Sequence, residues 1–169
     1  MKLRIVIAFL ALGTSTAFAQ EPAGCGKFKW PIAKERALLS ASNIPAVPSG
    51  DSMSGAPETA VSLALTPAAE ARLPMSPERT PRDPSTFAGY VRLAGMKRPG
   101  NYRINLSAEA WINVLWNGQY LKSGAHSGVT DCDGIRKSVN FELPETPFVI
   151  QLSGARSDPI RMVITSATE

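Results

Sequence analysis

The chain has 169 residues with 18 Lys+Arg against 14 Asp+Glu, 44% hydrophobic and 19% charged, the proportions of an ordinary globular chain, which excludes global disorder. One His and two Cys exclude whole classes of chemistry, since a facial-triad iron takes two His and a closed zinc site takes four ligands. No metal and no cofactor are expected.

Residues 1 to 19 set Lys2 and Arg4 before the apolar run Ile5 to Leu12 and end on Ala17-Phe18-Ala19, the pattern of a secretory signal peptide with an A-x-A cleavage site. The run is far shorter than the ~20 residues of a spanning helix, so no membrane insertion is expected after cleavage. The expected location is the periplasm or the cell exterior. Losing Lys2 and Arg4 lowers the formal charge from +4 to +2. Lys27 and Lys29 flank Phe28, and Arg136 adjoins Lys137, but neither pair is the basic run of a nucleic-acid patch, so no nucleic-acid partner is expected.

Both cysteines, Cys25 and Cys132, survive cleavage, and in an oxidising compartment an even pair without C-x-x-C spacing is expected to form one structural disulfide. After Cys25, Pro31 opens a short amphipathic helix through Ile32 to Leu39, because proline is tolerated in a first turn. From Asn43 to Thr86 the chain holds eight of its 14 prolines, which disfavours helix and central strand alike. This part reads as an extended wrapping segment with one short strand at Val61 to Leu65, and mobility is expected, if anywhere in it, at Met75 to Ser85.

From Phe87 onward the apolar period is two. Strands are expected at Phe87–Leu93, Tyr102–Ser107, Ala110–Trp116, Gln119–Ser123, Lys137–Leu143, Phe148–Ser153 and Ile160–Thr165. Each presents one apolar face, for instance Ile112, Val114 and Trp116, or Val139, Phe141 and Leu143. Turn residues separate them, above all Asn117-Gly118, which suits a two-residue hairpin loop. The pattern gives an all-β protein, an antiparallel sandwich or jelly roll over residues 87–169, preceded by the helix and the Pro-rich segment at 20–86.

The loop Ser123-Gly124-Ala125-His126-Ser127-Gly128 to Asp131-Cys132-Asp133-Gly134 is the most functional-looking stretch, combining a base, hydroxyls and carboxylates. His126 is the candidate general base if the protein is an enzyme, although no G-x-S-x-G elbow accompanies it. Asp131 and Asp133 begin like a calcium loop, but Ile135-Arg136-Lys137 follows where further ligands belong, so Asp133-Gly134 reads as a turn. Arg136 and Lys137 are placed to hold an anionic group, Arg136 through paired hydrogen bonds. Trp111 has the opposite parity to Ile112 and Val114, which makes it the surface tryptophan, while Trp116 belongs to the core. The candidate ligand-binding residues are therefore Trp111, His126, Arg136 and Lys137.

The string from Gly100-Asn101-Tyr102-Arg103-Ile104 through Ala110-Trp111-Ile112-Asn113-Val114, Ala125-His126 and Cys132 to Gly134-Ile135-Arg136-Lys137 resembles a family of small exported proteobacterial proteins of uncharacterised function. Some members of that family bear the name homogentisate 1,2-dioxygenase, an activity the single histidine speaks against here. Asn113 and Asn117 stand where the family pattern often has Asp, which weakens a carboxylate-based role at those positions. The strand order is also similar, at the level of fold, to binding sandwiches of the pre-peptidase C-terminal type. The expected function is that of an exported module binding a small ligand or an envelope protein, with a hydrolase using His126 and a structural envelope component as alternatives.

Overall fold

Alternating apolar side chains build two sheets that bury their apolar faces against each other. The structure, a computed structural model, describes residues 22–167, so the signal peptide expected at 1–19 lies outside the described residues. A single 3-10 turn at Cys25–Lys27 precedes helix α1 at Ala33–Leu39. The wrapping segment supplies β1 (Ala46–Val47), β2 (Ser52–Met53), β3 (Val61–Leu63) and β4 (Thr66–Pro67). Then come β5 (Phe87–Leu93), β6 (Gly100–Leu106), β7 (Trp111–Trp116) and β8 (Gln119–Tyr120). The chain closes with β9 (His126–Gly128), β10 (Lys137–Leu143), β11 (Phe148–Ala155) and β12 (Ile160–Ser166).

The first sheet has the order β1-β3-β12-β6-β10-β9, and the second β2-β5-β11-β7-β8 with β4 also paired to β5. Long strands pair antiparallel, while the short β1 and β2 run parallel to β3 and β5. This is the all-β sandwich that the period of two predicts, and β5 and β10 occupy the expected ranges. Register aligns the inward residues: Val139 opposes Ile104, which opposes Ile164, and Val114 opposes Ile150, which opposes Val91. These side chains form one continuous core. Trp116 packs against that core partly buried, because its indole Nε1 reaches out to donate to Thr146 Oγ1 at 2.9 Å.

The outward faces are polar, as alternation requires, yet much of them is covered. On the first sheet, α1 and the N-terminal arm pack over Val163, forming a second apolar cluster with Ile32, Leu39, Ala60 and Ile135. Cys25 and Cys132 border this cluster and are joined by a disulfide across 107 positions. On the second sheet the Pro-rich segment is held down, not loose: Gln151 Nε2 donates to the Met75 carbonyl at 2.9 Å and Asn113 Nδ2 donates to Glu78. The buried amides of Asn113 and Gln151 explain the difference, because a polar outer face hydrogen-bonds a proline-rich chain that has few N–H groups of its own.

Asn117 and Gly118 close the β7–β8 hairpin with φ of 50° and 74°, the doubly positive pair that the sequence dipeptide predicts. Among the described residues no helix is long and apolar enough to cross a membrane.

Candidate functional site

Strand β10 begins at Lys137, opposite Leu106 on β6 and Gly128 on β9, and this register sets the basic pair beside the turn between β6 and β7. Glu109 in that turn accepts from Lys137 Nζ at 2.9 Å and lies 3.4 Å from Arg136 Nη2. Lys137 also donates to the Ala110 carbonyl at 2.8 Å, and Arg136 Nη1 donates to the Val129 carbonyl at 2.9 Å. The two cationic side chains are only 15% and 20% exposed, so they are held in place and do not simply wave in solvent at a strand end. Partial burial makes this clasp stronger than a surface pair of the same geometry.

Trp111 heads β7 and points to the outer face, as its parity predicts, but it is only partly exposed. Arg79 from the wrapping segment and Lys137 lie over its ring, each 5.5 Å from the centroid. Its indole therefore serves as a platform for two cations, and its buried Nε1 has no hydrogen-bond acceptor. His126 opens β9, is exposed, and pairs its backbone with Val139.

All four residues singled out by sequence, Trp111, His126, Arg136 and Lys137, line one half-open cavity of about 510 Å³. It opens where β9 and β10 of the first sheet approach β7 of the second, with Ile112 and Val139 among its apolar lining. Three further cations that sequence reasoning left unassigned complete it. Lys27 and Lys29 come from the N-terminal arm and Arg79 from the Pro-rich segment. The arm is fixed there by the disulfide, by Gly24 N–H donating to the Thr130 carbonyl at 2.7 Å, and by Lys29 N–H donating to Ser127 Oγ at 3.1 Å.

Among the described residues lining the cavity, five cationic side chains face one carboxylate, Glu109. Such an excess of positive charge in a concave site raises the local concentration of anions. His126 directly precedes Ser127 on β9. Ser127 is buried beside it with its Oγ accepting from the arm.

Fold and cavity together define an all-β sandwich with an electropositive cleft where β9 and β10 border β7. No family model, no curated protein and no solved structure matches the chain.

Proposed function

We propose that this protein is an exported accessory module that binds an anionic ligand, free or carried by an envelope partner, in the cleft of Trp111, His126, Arg136 and Lys137. The observation that carries the reading is the convergence of five cations and an imidazole on one cavity whose single described carboxylate is already engaged by Arg136 and Lys137. An entering carboxylate or phosphate gains charge-assisted hydrogen bonds from these cations. Export is supported by the leader pattern at residues 1 to 19 and by the Cys25–Cys132 disulfide, which fits an oxidising compartment. The resemblance to small exported proteobacterial proteins agrees with this reading.

The test is calorimetric titration of the disulfide-intact protein with citrate, inorganic phosphate and galacturonate at low salt. At least one is expected to bind saturably. Lys29→Ala and His126→Ala, both at exposed positions, are expected to weaken that binding about five- to tenfold with an unchanged melting temperature. No saturable binding of any of the three anions, or two variants as tight as the parent, would sink the proposal.

A further inference from the structure

A second cavity of about 690 Å³ lies against the first, and the two share Arg79, Glu109, Trp111 and Arg136 as a common wall. Ser153 opposes Trp111 across the β11–β7 ladder, so both side chains stand on the outer face of the second sheet, and both line this cavity with residues 79–83 of the wrapping segment. Arg82 and Arg156, both exposed, add two more cations there, and Asp83 adds a carboxylate. Ser153 is 1% exposed, and its Oγ has no hydrogen-bond partner. The Trp111 Nε1 at the shared wall is likewise unpartnered. Buried polar atoms are seldom left unsatisfied without a ligand, ion or water to meet them.

We propose that the two cavities are subsites of one groove and that the groove binds a linear acidic glycan of the oligouronate class, running from Lys29 and His126 past Trp111 and Arg136 to Arg82 and Arg156. This rests on the reading of the first cleft as an anion site and extends it to a ligand of several charged units. The charge is the first reason. Among the described residues of both cavities seven cations face two carboxylates, and they are spread over two joined spaces, whereas one small anion fills at most one arginine fork.

The aromatic content is the second reason. Single-stranded nucleic acid is held by successive aromatic platforms, but the Trp111 ring here carries Arg79 and Lys137 over its face. The walls are the third. Glu109, Asp83, Ser153, Thr80 and Thr130 offer acceptors and hydroxyls that suit the several hydroxyl groups each sugar unit carries.

The experiment is calorimetric titration of the whole, disulfide-intact protein with galacturonate, tetragalacturonate, hexagalacturonate and an oligothymidylate matched to the hexamer in charge. The hexamer is expected to bind at least about tenfold more tightly than the monomer, because the second cavity is filled without a second loss of translational freedom. Arg82→Ala combined with Arg156→Ala is expected to collapse that hexamer-to-monomer ratio toward one. If hexamer and monomer bind equally, or the double variant keeps the full ratio, the second cavity is idle and this inference fails, while saturable monomer binding weakened in Lys29→Ala leaves the first cleft standing. If no uronate binds, the glycan assignment fails, and citrate or phosphate binding then decides the first cleft separately. Tighter binding of the oligothymidylate than of the hexamer overturns the glycan in favour of nucleic acid.

Discussion

Asn105 shows how a polar residue on a strand becomes structural. It is fully buried, accepts from Ser138 Oγ at 2.6 Å, and donates to Thr165 Oγ1 at 3.1 Å, which in turn donates to Glu35 Oε1 at 2.9 Å. This chain ties β10, β6, β12 and α1 in one line. Asn105→Ala leaves two buried hydroxyls short of a partner, so a loss of about 1 to 3 kcal/mol is expected in urea unfolding. The same burial removes the Asn105-Leu106-Ser107 sequon from any surface role. Tyr120 has a second residue-scale consequence. Burial pushes its phenol above its ordinary value while its hydroxyl donates to the Ser76 carbonyl. The neutral phenol is the form the fold favours, so its contribution is full below the unfolded value near pH 10 and is lost as pH rises through the folded one. Unfolding curves between pH 8 and pH 11 should therefore show a shallower alkaline decline in Tyr120→Phe than in the parent.

Helix α1 illustrates what an element owes to its surroundings. Its seven residues are too few to be helical alone. Leu39 is fully buried, the Leu39 carbonyl accepts from Arg161 Nη1 at 2.9 Å, and Arg36 Nε donates to the Asp133 carbonyl at 2.7 Å. The last contact needs the Cys132 loop to come close, and Gly134 permits it. Its φ is 84°, and a Cβ there would stand 2.4 Å from Ser40 Oγ. Gly134→Ala is expected to cost about 1 to 3 kcal/mol, read from the urea midpoint, through both strain and crowding. The long strands and the Asn117-Gly118 turn were legible because each repeats its period or carries its own turn chemistry. Strands β1, β2, β4 and β9 were not, since two or three residues contain no period to read. Their existence depends on an edge already present beside them.

At the scale of the molecule, the disulfide links the amino-terminal arm to the cleft it helps to line. Chain-entropy arguments give a link across 107 positions about 4 to 5 kcal/mol, an upper figure that measured disulfides often fall below. Cys25→Ser with Cys132→Ser is expected to lower the urea midpoint and, by freeing Lys27 and Lys29, to weaken galacturonate binding as well. A midpoint that falls with affinity unchanged would show that the arm stays docked through its backbone bonds alone. The arm also runs beside β9, where Thr130 N–H donates to the Pro22 carbonyl at 2.8 Å, and the opposite edge strand β1 has only two residues. Covered or short edges resist sheet-to-sheet pairing, so size-exclusion chromatography should give a monomer. A concentration-dependent oligomer would favour the structural envelope role.

The sequence by itself determined the sandwich, the helix and the nature of the cleft residues, because alternation, proline placement and the parity of Trp111 are local properties of the chain. It named His126, Arg136, Lys137 and Trp111 but could not show that they share a cavity. Only the tertiary structure decided that, by bringing Lys27 and Lys29 from the amino-terminal arm and Arg79 from the Pro-rich segment to the same wall. Charge convergence depends on distances through space between residues up to about a hundred positions apart, and such distances exist only after the sheets have paired and the arm has been bound to them.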